Sequence, residues 1–328
     1  MRWIPIYKKA GAEEKCFSPA GRRGLAALPK PAANFILFSL VLTVSFCKPL
    51  FDLARFSFKD DLYSHTLLVP FISFYLIWVR RKVLPTGIKA SLGAALAPLV
   101  VGVVALGSYW LMVFRGWKVA QQDYLSVTLF SFYSLLLAGG LGFLGSVFMR
   151  AVAFPAGFLV LMVPFPVALT NWIETFFQHT SGDAASVLFS LTGMPVFREK
   201  LLFHLPGIAI QVAKECSGIH SSLVLFITSV LAGHLFLRSP WKKATLALAV
   251  IPLGIARNGI RIFTIAWLCI HVDPAMIDSP IHHRGGPIFF ILSLVPFLAF
   301  LFVLRRSERP KNNPPGVMAG LPGKEPLA

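Results

Sequence analysis

Three residues in the second half of the chain have side chains suited to acyl transfer: Cys216, Arg261 and His282. A thiolate can attack a carbonyl carbon and form a thioester. A guanidinium can stabilise the oxyanion that develops on the carbonyl oxygen. An imidazole can take the proton of the thiol and later protonate a leaving amine. His283 stands beside His282, so the sequence offers two candidates for the acid/base.

The elements that must position these residues are membrane spans. Hydrophobic residues make up 56% of the 328-residue chain and its mean hydropathy is +0.71, whereas soluble domains are usually about 45–50% apolar. A span needs roughly 20 apolar residues. We therefore predict an all-α integral membrane protein with about eight transmembrane helices. The expected spans lie near 34–53, 64–79, 92–114, 124–148, 151–168, 219–237, 245–271 and 287–304.

The distribution of charge predicts the orientation. The net charge of +17 comes from 31 Lys and Arg against 14 Asp and Glu. No basic stretch carries the interleaved aromatic residues of a single-strand platform, so nucleic acid is not an expected partner. With the N-terminus inside, the inner segments hold 20 of these basic residues and the outer segments hold nine. Because basic loops favour the cytoplasmic side, both termini are expected there.

The chain divides into a basic N-terminal segment (1–33), a polytopic domain (34–305) and a Pro/Gly-rich tail (306–328). No cleavable signal is expected in the first segment, and disorder is expected in the tail. The longest outer loop covers about 169–218. Its first part, 171–191, predicts an amphipathic helix at the membrane interface. Its second part, 195–212, alternates in polarity around a Pro-Gly pair and predicts a short β-hairpin.

This topology brings the three reactive residues to the outer face. Cys216 opens the sixth span, and the positive end of a helix favours a thiolate. Arg261 lies 18 residues after Lys243, which is about 27 Å of helical rise. His282 precedes the eighth span. The four cysteines form no CxxC pair, so neither a metal site nor a cofactor is expected.

Each of these residues also has a purely structural interpretation. A lone Cys near a helix start often only packs, and His282 and His283 could simply be solvated in a loop. Arg257 and Arg261 could extend to lipid headgroups. An arginine inside a span costs about 2.5–3.5 kcal/mol on insertion scales, which favours a paired or functional role for at least one of the two.

Four sequence segments, in order, resemble the motifs of the exosortase/archaeosortase family, and the resemblance covers about 60–305. The nucleophile motif is similar to residues 213–222, the Asn-x-x-Arg element to 258–261 and the His-x-x-x-Gly element to 282–286. The N-terminal Tyr-Ser-His…Pro…Trp-x-Arg-Arg run is similar to Tyr63-Ser64-His65, Pro70, Trp78 and Arg80-Arg81. The family often has Arg where this chain has His220.

The resemblance implies a cysteine transpeptidase of the bacterial inner membrane. Members of this family are found in bacteria that make exopolysaccharide. They cleave a C-terminal sorting signal, consisting of a short motif (Pro-Glu-Pro in the best-known case), a transmembrane helix and a basic tail. The product is transferred to an envelope acceptor. Carried over by position, Cys216 is the nucleophile, Arg261 the oxyanion stabiliser and His282 the acid/base. The implied supporting residues are Tyr63, His65, Ser217, Gly218 and Asn258.

Two other functions fit parts of the sequence. In a transporter or polysaccharide-export component, Arg257, Arg261 and His65 would line a pathway. Transporters place such groups near the bilayer midplane, and the expected outer clustering argues against this. A plain outer-face hydrolase would use the same acyl-enzyme as a transpeptidase, so the residues do not separate the two.

Overall fold

The chain is a multi-pass membrane protein. The computed structural model describes residues 29–85, 89–205, 208–212, 218–273 and 286–308. Within these ranges six helices are long and apolar enough to cross a bilayer, and two bent helix pairs raise the number to eight if each is one span. The predicted all-α fold with about eight spans is confirmed. The expectations for Cys216, Ser217, His282, His283 and most of the two terminal segments fall outside the described residues.

The first half of the chain is a series of helices with short breaks. They are α1 (Lys30–Ser45), α2 (Cys47–Lys59), a 3-10 helix (Asp61–Leu67), α3 (Leu68–Arg80), α4 (Leu92–Phe114), α5 (Gln121–Gly139), a π segment (Gly140–Leu144), α6 (Gly145–Ala151), α7 (Ala153–Phe158), a second 3-10 helix (Leu159–Met162) and α8 (Val167–Leu191).

Proline explains two of the breaks between the helices. The span expected at 34–53 is bent by 66° between α1 and α2. A proline ring clashes with the carbonyl four residues before it, and Pro49 follows Ser45, the last residue of α1, by four. Pro155 stands in the same relation to the end of α6. The span expected at 151–168 consists of α7 and the second 3-10 helix, and this segment meets α8 at 88°.

The described part of the second half contains a small sheet and four helices. The strands are β1 (Phe197–Glu199), β2 (Leu202–Leu205) and β3 (Ile208–Gln211), and the helices are α9 (Ile219–Phe236), α10 (Pro240–Leu248), α11 (Val250–His271) and α12 (Gly286–Arg306). The strands form an antiparallel sheet in the order β1-β2-β3, with Phe203 paired to both Arg198 and Ile210. The expected hairpin is thus extended by a third strand.

The sheet, α8 and the C-terminal half of α11 share one hydrophobic core. It contains Ala185, Phe189, Phe203, Leu205, Ile210, Val212, Ile262, Ile265, Ala266 and Cys269. The helix expected at 171–191 is therefore present as α8, but protein covers part of its apolar surface. We call the end of the bundle that carries this core the sheet end.

The opposite end, which we call the Arg80 end, is held by polar contacts between helix termini. Arg80 of α3 lies 3.0 Å from Nε2 of His234 on α9. The carboxylate of Glu308, after α12, accepts hydrogen bonds at 2.9 Å from the backbone amides of Arg238 and Ser239, which precede α10. Because α9 has 18 residues, its two ends are about 27 Å apart.

Helices α8 and α11 approach each other closely because α11 has glycine at the contact. A Cβ added to Gly259 would lie 2.7 Å from Cβ of Ala184 and 3.2 Å from the backbone nitrogen of Ala185. Small residues let helix backbones approach in this way in membrane proteins. Gly107, in α4, has nothing within 4 Å of an added Cβ.

We expect Gly259→Ala to reduce stability by about 1–3 kcal/mol, the usual cost of overpacking. Gly107→Ala is the matched control and should leave stability unchanged or slightly raised, since alanine favours helix over glycine. Thermal unfolding of the full-length protein in detergent measures both. Equal melting temperatures for the two variants would contradict the proposed role of the α8–α11 contact.

The contact at Glu308 should depend on pH. Hydrogen bonds from the amides of Ser239 and Arg238 lower the pKa of the Glu308 carboxyl. A lowered folded-state pKa stabilises the fold above the unfolded value of about 4.3, and this stabilisation is lost as the pH falls through the folded value. Glu308→Ala should therefore melt below the parent protein at pH 7. The difference should vanish at a pH below the folded pKa, and a constant difference would refute the assignment.

Candidate active site

Gly218 is the residue on which the first turn of α9 begins. It caps that helix with a left-handed φ of +73°, a conformation that glycine adopts without strain. A Cβ at this position would lie 3.0 Å from Nη2 of Arg257 and 3.1 Å from Cγ and Oδ1 of Asn258. Both the backbone conformation and the space therefore require glycine. Gly218 follows Cys216 by two residues.

Arg257 of α11 is bonded directly to this turn. Its side chain is buried, with the residue 5% exposed. Nη2 donates to the carbonyl oxygen of Gly218 at 2.8 Å and to Oγ of Ser222 at 3.2 Å. The Ser222 hydroxyl in turn donates to the same carbonyl at 3.0 Å. One guanidinium nitrogen thus joins α11 to the first turn of α9 through two neighbouring acceptors.

The charge of Arg257 has no acidic partner among the residues that the structure describes. The three ion pairs found there involve Arg198, His204 and Lys242. Nη1 of Arg257 is buried and makes no hydrogen bond to any described residue. All of its observed acceptors are neutral oxygens.

Asn258 and Arg261 continue the same surface of α11. Asn258 is 1% exposed and touches the position of Gly218, as described above. Arg261 is partly buried and lies one helical turn beyond Arg257, the spacing at which side chains share a helix face. The two guanidinium groups are within electrostatic range of each other. Two cations therefore lie one turn apart beside the start of α9.

Tyr63, in the 3-10 helix before α3, packs against the start of α9. It is 1% exposed and forms a small core with Leu62 and Ile219. Its hydroxyl lies 2.8 Å from Nε2 of Gln122 and 3.2 Å from Oγ1 of Thr170. This contact joins the 3-10 helix to the starts of α5 and α8.

Gln122 is the centre of that network. Besides Tyr63, its amide nitrogen reaches the carbonyl of Phe165 at 2.7 Å and Oγ1 of Thr170 at 2.8 Å. The neighbouring Asp123 accepts from the backbone amide of Val167 at 2.8 Å. The turn between the second 3-10 helix and α8 is therefore fixed by polar side chains of α5.

His65 and His220 come from the two elements that Tyr63 and Ile219 hold together. Both are partly buried, and they lie within electrostatic range of each other. The Nδ1 atom of each is buried with no hydrogen-bond partner among the described residues. His65 also lines a largely apolar cavity of about 390 Å³ between α4, α5 and α9. Two imidazoles thus lie where the 3-10 helix meets the start of α9.

The structure brings together five of the residues predicted from sequence: Tyr63, His65, Gly218, Asn258 and Arg261. The predicted Cys216, Ser217, His282 and His283 lie outside the described residues. The sequence analysis did not identify Ser222, Gln122 and Thr170. The polar pair Gln121-Gln122 at the start of an otherwise apolar span was the available signal for Gln122. Among the described residues no group of three or more His, Cys, Asp or Glu could hold a metal ion.

The comparison with known families agrees with the motifs. The family model described as transmembrane exosortase matches residues 54–299, which is most of the chain and includes every site residue discussed above. Neither a curated protein nor a solved structure matches the chain.

We expect Gln122→Leu to destabilise the protein by about 1–3 kcal/mol, because the partly buried carbonyl of Phe165 and the hydroxyl of Thr170 would lose a donor. Gln121→Leu changes the adjacent, exposed residue and should stay within about 0.5 kcal/mol of the parent. Thermal unfolding compares them. If Gln121→Leu lost as much stability as Gln122→Leu, the hydrogen bonds of Gln122 would not be the cause of the destabilisation.

Proposed function

The chain belongs to the transmembrane exosortase family, a family of cysteine transpeptidases, and we propose that it cleaves the C-terminal sorting signal of exported proteins. One observation supports this most directly. Tyr63, Gly218 and Asn258, which come from three different family motifs, are 40 to 195 residues apart in sequence, yet Gly218 begins the first turn of α9 and Tyr63 and Asn258 pack against that turn. Family motifs that converge on one point are expected of a catalytic site.

In this proposal Cys216 is the nucleophile. Gly218, two residues later, lies against Arg257 and Asn258, and two peptide units span at most about 7.6 Å between Cα atoms. The thiol is therefore expected near the start of α9 and near the cations of α11. Arg261 is assigned to the oxyanion and His282 to proton transfer.

The proposed reaction has two steps. The Cys216 thiolate attacks the carbonyl carbon of the scissile peptide bond, and Arg261 stabilises the negative charge on the carbonyl oxygen. The C–N bond then breaks as His282 gives a proton to the leaving amine, leaving a thioester. An acceptor nucleophile attacks the thioester, His282 takes its proton, and the thiolate is released.

The proposed substrate is a protein whose C-terminal end carries a short motif, a transmembrane helix and a basic tail. The bilayer of the bacterial inner membrane would orient this helix with its basic end in the cytoplasm. Both termini of the enzyme are assigned to the cytoplasm, and the sheet end with the active site is assigned to the opposite face. The acceptor is an envelope nucleophile that we leave unassigned.

We expect Cys216→Ala, Arg261→Ala and His282→Ala to abolish processing of a tail-anchored reporter in cells at normal enzyme levels. Losses of about 10²-fold or more are usual for an oxyanion donor or a general acid/base. The matched controls are Cys47→Ala, Arg150→Ala and His179→Ala, which alter exposed residues of the same types. Normal processing by Cys216→Ala would refute the nucleophile assignment.

A second set of variants identifies the acid/base. His283 is the alternative by sequence, and His220 and His65 are alternatives because of their place beside Gly218. Each is changed to alanine, and processing is measured with purified reporter and enzyme. The base is the histidine whose loss gives the largest fall in rate and removes the acidic limb of the pH–rate profile. If that histidine is not His282, its assignment is wrong. The mass of the released reporter separates transfer from hydrolysis.

A further inference from the structure

We propose that Arg257 is a positioning residue that fixes the turn at Gly218 and stabilises the thiolate of Cys216. This inference rests on the proposed function, because it requires Cys216 to be the nucleophile. It gives the two arginines of α11 different tasks. Arg261 acts on the oxyanion of the substrate, and Arg257 acts on the nucleophile through the first turn of α9.

The contacts of Arg257 fix the geometry of the turn. The Gly218 carbonyl accepts hydrogen bonds from the Ser222 amide at 3.1 Å, the Ser222 hydroxyl at 3.0 Å and Nη2 of Arg257 at 2.8 Å. The shortest of these is the charge-assisted one, as expected for a cationic donor. The guanidinium also fills the space that a Cβ on Gly218 would occupy. The peptide unit between Gly218 and Ile219 is thus held by α11, a rigid element.

The electrostatics of Arg257 favour an anion at this place. Burying a cation without a counterion is costly, and the described residues supply no acidic partner and no acceptor for Nη1. A hydrogen bond to the first carbonyl of α9 adds this charge to the positive end of the helix dipole. A thiolate two residues before Gly218 would lie in the electrostatic field of the Arg257 charge and of the helix dipole.

Other titratable groups border this point and must be separated from Arg257. They are Asp60, which precedes the 3-10 helix, Tyr63 and His65 from that helix, Glu174 from α8, His220 from α9 and Arg261 from α11. Among the charged side chains of the described structure, Arg257 is the one seen to bond to the Gly218 carbonyl. Replacing it therefore removes a charge bonded to the first turn of α9 and leaves the other groups in place.

The test measures the thiol pKa of Cys216 from the pH dependence of its alkylation by iodoacetamide. The full-length protein in detergent carries Cys16, Cys47 and Cys269 changed to serine. The parent is expected to show a thiol pKa below about 7.5, as for thiols beside cations and helix N-termini. Arg257→Met should raise it by at least one unit, so that alkylation at pH 6 falls about tenfold. Arg150→Met, at the Arg80 end, should not change it.

Arg257→Lys separates position from charge. Lysine keeps the charge but cannot donate to Gly218 and Ser222 in the same planar geometry. We expect an intermediate thiol pKa and a fall in kcat of processing of about tenfold or more, with KM for the reporter nearly unchanged. Processing by Arg257→Lys at the parental rate would overturn the positioning role, even if Arg257→Met does not fold.

The remaining outcomes distinguish this inference from the proposed function. If Cys216→Ala abolishes processing but a folded Arg257→Met keeps the parental thiol pKa, the inference is wrong and the proposed function stands. If Cys216→Ala still processes the reporter, the proposed function fails, and the inference fails with it.

Discussion

The hydrogen bond from Arg257 to the Gly218 carbonyl is the contact on which the geometry of the site depends. It joins α11 to the start of α9, which are far apart in sequence, and it occurs where the backbone has a left-handed conformation. The contact requires α11 to lie close to both α8 and α9. Gly254 permits this on the α9 side, since a Cβ there would lie 2.5 Å from Oγ of Ser222. Gly259 permits the close approach on the α8 side. The small residues of α11 thus allow the close helix packing that places its two arginines.

The membrane explains why polar contacts of this kind gather at helix ends. A backbone group without a partner costs several kcal/mol in the bilayer core, so breaks in helices occur where side chains can complete the hydrogen bonds. The break between the second 3-10 helix and α8 contains Pro164 and Pro166, and Gln122, Asp123 and Ser126 of α5 bond to it. Gln122 also bonds to the hydroxyl of Tyr63, which packs against Ile219 at the start of α9. The hydrogen bonds that complete the break in the helix therefore also support the site.

The sequence predicted the spans well where they are continuous and poorly where prolines and glycines interrupt them. The α4 and α12 spans match their predicted bounds to within a few residues, because hydropathy records burial in lipid. The bends of 66° and 88° depend on how the helices pack after each break, and hydropathy does not carry that information. The sheet was detected as alternation in 195–212, but its third strand was not.

For the site, the family motifs identified Tyr63, His65, Gly218, Asn258 and Arg261 without indicating their contacts. Arg257 was recognised only as one of two expensive intramembrane arginines. Its partner is a backbone carbonyl, and backbone acceptors have no sequence signature. Gln122 was missed for a related reason, because one of its acceptors is the carbonyl of Phe165. Residue types predict which chemistry is present, and packing decides which of those residues meet.

The pair of arginines on α11 has a physical rationale in the proposed reaction. Like charges one helical turn apart destabilise a helix, and burial of Arg257 increases that cost. A negative charge between them would reduce it. In the proposed acyl transfer that charge is first on sulfur and then on the carbonyl oxygen of the substrate, two sites separated by about 3 Å at the start of attack. Two cations with a rise of about 6 Å between them can each stabilise one of these positions. A single arginine would favour one state over the other, whereas the pair keeps stabilisation available as the charge moves.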